Sequence, residues 1–147
     1  PRAIIAEIII KCLKGEDVIT TEGIQTRDFN YVGDLTDGFL LAAKNDKAIG
    51  EIINLGTGEE ISIKDLVKMI YELTGSKSRL CIGDLSYRPV EIWRMVADNK
   101  KAKKLFGWTP KINLKEGLIM TIDWYKRFKE IFLDSNSILC QLWQDKT

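Results

Sequence analysis

Residues 51–75 read in order as an apolar run (Glu51 to Leu55), a glycine turn (Gly56-Thr57-Gly58) and an amphipathic helix. The run is too short for a helix and is bounded by turn residues, so it is predicted as a buried strand. Ser62-Ile63-Lys64-Asp65 opens the helix in the manner of a capping box, with aspartate in the glutamate position. Leu66, Val67, Ile70 and Tyr71 recur at helical spacing, and Gly75 closes the segment. A strand, a tight turn and a helix in succession require a sheet with a helix packed on it. The chain is therefore predicted to be a small mixed α/β domain, with helices on short sheets.

The remaining pattern agrees with that class. A first helix is expected from Arg2 to Leu13, ended by Lys14-Gly15, followed by a short strand at Val18 to Thr20 and a turn containing Gly23. The alternation of Phe29 and Tyr31 with Asn30 and Val32 predicts a strand from Arg27 to Val32. Asp34 is expected to cap a following helix that runs to Lys44 with Leu35, Phe39 and Ala42/Ala43 on one face. Arg79 to Ile82 reads as a strand, Asn99 to Phe106 as a short basic helix, and Leu114 to about Phe132 as a long amphipathic one. Residues 1–132 form one expected domain and residues 133–147 an irregular tail without clear period.

The chemistry the chain can support is narrowed by what it holds. With 147 residues and 45% hydrophobic content, a real core is available. Twenty-two bases against 21 acids give a net charge of +1, so no broad field for nucleic acid or anionic membrane is implied and anion recognition must be local. The basic run Lys100-Lys101-Ala102-Lys103-Lys104 lacks interleaved aromatics and reads as a solvated helix face. The apolar run from Ala3 to Ile10 is too short to span a bilayer and has no signal-peptide flanks. Three well-separated cysteines, Cys12, Cys81 and Cys140, fit reduced cytoplasmic thiols better than a disulfide framework or a zinc site. The absence of histidine excludes a serine–histidine triad and a histidine-bound metal.

Two local patterns look like cofactor or catalytic motifs and are read as neither. Gly56-Thr57-Gly58 stands where a dinucleotide fingerprint would, but Ile61 occupies the third glycine's place and no ribose-reading acid follows a second strand. A tight turn starting the helix close to the sheet is the better reading. Tyr125 and Lys129 have the Tyr-x-x-x-Lys spacing that lets a lysine lower a phenol's pKa from one helical turn away. They lie among other bases on the last helix, where a solvated face bearing Lys126 and Lys129 is expected.

The segment Thr26-Arg27-Asp28-Phe29-Asn30-Tyr31-Val32-Gly33-Asp34 resembles the "RDF-x-YV-x-D" signature of the extended short-chain dehydrogenase/reductases, the NAD-dependent sugar-nucleotide epimerases and dehydratases. Glu51 to Ile70 and Arg88 to Tyr125 are similar to later segments of the same family, in the same order, so the resemblance covers Pro1 to about Lys129. It implies the C-terminal, substrate-binding part of such an enzyme. The cofactor-binding Rossmann half and the catalytic tyrosine and lysine would lie upstream, and a chain opening at Pro1 without methionine favours a fragment. NAD or NADP would serve the full-length enzyme and none would bind this part, leaving it inert alone. By the resemblance, Arg27 and Arg88 meet a nucleotide diphosphate, Glu91 accepts from ribose hydroxyls with a longer reach than the usual aspartate, and Asn54 lies near the sugar without doing chemistry. Arginine suits the diphosphate because its planar fork donates two parallel charge-assisted bonds. The alternative fate of Arg27 is a salt bridge to Asp28 or Asp34.

The implied partners are a nucleotide-diphosphate sugar and the missing Rossmann domain, with homo-oligomerisation left open. An exposed apolar face, involving Trp93 or Trp108 and the first helix, is expected where that domain would sit. The resemblance does not separate 4,6-dehydratase from 4-epimerase, NAD from NADP, or one base or sugar from another. A standalone nucleotide-sugar-binding module and an interaction domain with salt-bridged arginines remain the rival readings.

Overall fold

The helix expected at the start of the chain forms as α1 (Ile4–Lys14) and stops where the sequence places a glycine. Gly15 takes φ 71°, and the amides of Gly15 and Glu16 turn back onto the carbonyls of Cys12 and Lys11. The computed structural model describes residues 3–128. Arg2, Lys129, Cys140, the end of the last predicted helix and the predicted tail at 133–147 lie outside the described residues.

The described residues divide into two compact units, one from 3–23, 64–87 and 118–128, the other from 24–63 and 88–117. In the first, α1 leads into β1 (Val18–Thr20), which pairs in parallel with β4 (Leu80–Ile82), Val18 opposite Leu80 and Thr20 opposite Ile82. Between them in sequence runs α3 (Ile63–Thr74), with Gly75 at φ 67° just beyond it. Ile8, Ile9, Val18, Leu66, Val67, Ile70, Leu118 and Ile122 are buried and make up this core. Each such side chain contributes roughly 1.5–3 kcal/mol. The turn before the helix is tight: a Cβ on Gly23 would lie 2.6 Å from the Lys64 amide nitrogen, and Gly23 itself takes φ 72°. That amide donates to the Gly23 carbonyl, so the closeness belongs to a hydrogen-bonded turn.

The second unit carries a three-stranded sheet in the order β3-β2-β5, built from β3 (Ile61–Ser62), β2 (Thr26–Arg27) and β5 (Arg94–Met95). β2 runs antiparallel to β3 and parallel to β5. Its helices are α2 (Val32–Ala43) and α4 (Lys100–Phe106), with a 3₁₀ turn at Asp46–Ala48. Asn45 caps that turn by accepting from the Lys47 amide, a feature the hydrophobic pattern does not encode. The last helix, α5 (Leu114–Arg127), starts in this unit and ends in the other. Asn113 and Glu116 exchange bonds at its start: the Glu116 amide donates to the Asn113 side chain and the Asn113 amide to the Glu116 carboxylate.

Several expectations fail in this unit. The strand at Arg27 to Val32 ends at Arg27, and Asp34 does not cap a helix starting after it. α2 starts at Val32 from Tyr31, with no side-chain cap, and Asp34 sits buried inside its first turn. The Asp34 Oδ2 instead accepts from the amides of Lys111 and Ile112 at 3.0 and 2.9 Å. Trp108 donates its indole N–H to the Asp34 carbonyl at 2.8 Å, and Gly38, one turn on, leaves room for that ring: a Cβ there would lie 2.9 Å from Nε1. The inner face of α2 is therefore Asp34 and Gly38. The expected apolar face of Leu35, Phe39 and Ala42/Ala43 is only partly turned inward: Leu35 and Ala42 are half-buried, whereas Phe39 and Ala43 are exposed. Trp108 is accordingly core, at 2% exposure, and does not belong to the expected apolar face, whereas Trp93 is exposed. Finally, Glu51 to Leu55 pairs with no strand among the described residues, and Ile52 is 88% exposed. Its alternation is that of a strand, but no neighbour in this unit supplies a ladder for it.

Candidate functional site

Successive side chains of a strand face opposite sides, and β2 uses this to build two different arrangements from adjacent residues. On one side the Thr26 hydroxyl donates to Glu60 Oε2 at 2.7 Å, and Arg94 Nε reaches the same carboxylate at 3.0 Å. This links all three strands, because Thr26 stands opposite Ser62 in β3 and Arg94 in β5. Glu60 is on the surface; the Thr26 hydroxyl and then Arg94 hold its carboxyl below the usual range.

On the other side Arg27 donates through Nη2 to Glu91 Oε1 at 2.9 Å and through Nη1 to the Thr26 carbonyl at 2.8 Å. Both side chains are largely shielded, at 17% and 15% exposure. The pair therefore lies in a medium less polar than water, where a charge counts for more than on an open surface. The expected alternative partners of Arg27 are both otherwise engaged. Asp34 binds the backbone at 111–112, and Asp28 points away from Arg27 as strand alternation requires.

Asp28 is the residue the sequence reading undervalued. Its Oδ1 accepts from the Thr57 amide at 3.0 Å and the Thr57 hydroxyl at 2.5 Å; its Oδ2 accepts from the amides of Gly58 at 3.0 Å and Ala97 at 3.2 Å. Burial pushes this carboxyl up, but the Thr57 hydroxyl and the three amides outweigh it, and its pKa lies below the ordinary value. Asn99 completes the turn from the carbonyl side, donating to Gly56 and Thr57 at 2.9 and 3.1 Å. The signal for this was present in sequence as an acid one residue from the arginine and a glycine turn with two amides to satisfy.

Of the four residues expected to bind substrate, the structure brings together Arg27 and Glu91. Arg88 is exposed three residues before Glu91 and makes no hydrogen bond or ion pair among the described residues. Asn54 lines a separate cleft of about 340 Å³ with Asp28, Asn30, Gly56 and Met95. Asn30 has both its side-chain polar atoms buried there without a partner. A further cleft of about 380 Å³ is floored by Phe29, Ile61 and Ile112 and edged by Glu59 and Lys111.

The Gly56-Thr57-Gly58 turn does not fit a dinucleotide pyrophosphate. The amides such a group would need are donated to Asp28, and a Cβ on Gly56 would already lie 2.4 Å from Ala97 Cβ. The Tyr-x-x-x-Lys spacing fares no better. Tyr125 is 8% exposed and burial raises its phenol pKa, the opposite of what a proton-abstracting tyrosine needs. Lys126 is exposed, and Lys129 lies outside the described residues.

The profile of the GDP-mannose 4,6 dehydratase family matches residues 1–121. A putative UDP-glucose 4-epimerase of Methanocaldococcus jannaschii is 40% identical over 129 residues, covering 84% of this chain and 39% of that protein. Among solved structures, the UDP-glucose 4-epimerase of Thermotoga maritima with UDP-glucose superposes with a TM-score of 0.79 at 31% identity, over 87% of this chain and 40% of that one. The UDP-glucuronic acid 4-epimerase of Bacillus cereus, in complex with UDP-glucuronic acid and NAD, gives a TM-score of 0.76 at 32% identity, over 86% and 40%. The chain thus spans about two fifths of the length of the relatives it matches.

Proposed function

This chain belongs to the GDP-mannose 4,6 dehydratase family and has the α/β fold of the C-terminal part of extended short-chain dehydrogenase/reductases; from that premise we propose that it supplies the nucleotide-sugar-binding portion of an NAD(P)-dependent 4-epimerase or 4,6-dehydratase. The observation that carries this reading is the shielded Arg27 guanidinium, held by one acid through one of its nitrogens. Arg27 and Arg88 would grip the diphosphate, Glu91 would accept from the ribose hydroxyls, and Asn54 would stand near the sugar. Glu91 exchanges its arginine partner for ribose as the diphosphate takes over the fork, so neither charge is left bare at any stage. The tyrosine base, its lysine and the cofactor belong to the remainder of such an enzyme, and the chain taken alone binds without turnover.

The rival reading, an interaction domain whose arginines are only salt-bridged, draws on the same Arg27–Glu91 pair. Titration calorimetry with UDP-glucose, GDP-mannose and dTDP-glucose separates the two. With no opposing domain to enclose the ligand, binding of order 1 mM is expected, about 4 kcal/mol, and weaker with added salt. Loss of an arginine's charge-assisted bonds costs about 1.5–3 kcal/mol, so Arg27→Ala and Arg88→Ala should each weaken binding by roughly 10- to 100-fold. Arg27→Lys should also weaken it, since a lysine cannot reproduce the fork. Equal affinity in all variants, or no binding by the parent chain, defeats the proposal.

A further inference from the structure

We propose that Asp28 is the positioning residue of this site, its carboxylate acting as a built-in anion that fixes β5 against β2 and so holds Arg27 opposite Glu91. The role follows from how short the backbone ladder between β2 and β5 is. β2 and β5 are two residues long each, and their ladder runs from the Thr26 amide on the Trp93 carbonyl to the Asp28 amide on the Met95 carbonyl. So short a ladder slips or frays easily. The Asp28 side chain extends it past its last rung by taking the Ala97 amide, while Arg27 holds the near end through Glu91. Adjacent residues of one strand thus grip the two ends of the same segment from opposite faces.

The same carboxylate gathers the Thr57 and Gly58 amides, so three backbone donors converge on one acid. Successive N–H groups of this kind form an anion seat. Here the chain fills the seat itself, and Gly56 permits it: its missing Cβ would lie 2.7 Å from Asp28 Oδ2 and 2.4 Å from Ala97 Cβ. Asn99, holding the carbonyls of Gly56 and Thr57, keeps the turn's amides aimed at the acid.

The inference deepens the nucleotide-sugar reading and rests on it only for its second measurement. The first measurement follows the Arg27 side-chain Nε–H by NMR in the parent chain, Asp28→Asn and Asp28→Ala. Asn cannot accept from all four donors, and Ala leaves a space the size of formate. Both variants should move the Arg27 signal toward that of a free arginine. Formate at about 100 mM should restore it in Asp28→Ala, because a carboxylate refills the seat; formamide and chloride should not. An unchanged Arg27 signal, or equal rescue by chloride, overturns the proposal, as does an Asp28→Ala chain unfolded with and without formate. The second measurement is UDP-glucose affinity, expected to fall about tenfold in Asp28→Asn and to recover with formate in Asp28→Ala. If the parent binds no nucleotide sugar, the functional reading fails while the Arg27 signal still decides the role of Asp28.

Discussion

Gly56→Ala offers the sharpest test of how this site is packed. No positive φ constrains Gly56, so alanine can adopt its backbone, and the unfolded chain would lose freedom worth about 0.4–1 kcal/mol in the variant's favour. Against that, the new Cβ would stand 2.4 Å from Ala97 Cβ and 2.7 Å from Asp28 Oδ2, when carbon atoms rest at about 3.5–4.0 Å. Neither neighbour is the free end of a long side chain; one is fixed to the backbone and the other is tied by four hydrogen bonds. Overpacking costs about 1–3 kcal/mol. Stretching the bonds to a charged acceptor adds about 1.5 kcal/mol. The clash wins, and the net loss should be about 1.5–4 kcal/mol, or roughly 3–16 °C in Tm. Urea unfolding measures it through the midpoint at constant m. Ala97→Gly removes the nearer atom, so the double variant Gly56→Ala/Ala97→Gly should be more stable than the sum of its single changes by about 1–2 kcal/mol. A Gly56→Ala chain within about 0.5 kcal/mol of the parent, or strict additivity of the two changes, would refute the account.

Trp108→Phe should cost about 0.5–1.5 kcal/mol, because it removes the 2.8 Å indole bond to the Asp34 carbonyl, which keeps its helical amide partner within α2; urea midpoints decide it, and a negligible change would mean that the bond contributes nothing. Acid should unfold the chain partly through Asp28. Its pKa is lower folded than unfolded, so its stabilisation is complete above the unfolded value of about 3.9 and disappears as pH falls through the folded one. Stability of Asp28→Asn should consequently fall less steeply with acid than that of the parent, and parallel curves would count against the shift. The outward-facing Phe39 and Ile52 should promote self-association and dye binding, both reduced in Phe39→Ser/Ile52→Lys; a parent that stays monomeric over a wide concentration range would remove the expectation.

Elements governed by local signals were legible. Gly15 and Gly75 end or follow their helices in the left-handed conformation as the sequence suggested, and the apolar spacing of Leu66, Val67 and Ile70 fixed the buried face of α3. Failure came where a polar group binds a distant backbone. Asp34 looks like a helix cap from its neighbours alone, but the amides it serves are those of residues 111 and 112. Asp28 looks like a salt-bridge partner for Arg27 until strand alternation sends it to the opposite face. Phe39 was misassigned to the inner face of α2 because Gly38, which carries no hydrophobic signal, admits Trp108 more closely than Phe39 could. In the candidate site, the direct pairing of Arg27 with Glu91 was not legible, because the two acids nearest Arg27 in sequence, Asp28 and Asp34, looked like its partners.

The pairing of β1 with β4 has a consequence for how the chain is made. β4 lies beyond the whole of residues 24–63, which belong to the other unit, and the two strands run in parallel. Within these residues β1 is made before β4, so its pairing edge stays unfilled until Leu80–Ile82 have been translated. Closing that long intervening loop carries an entropy cost that local contacts cannot repay in advance. A ribosome pausing before Leu80 would prolong that interval.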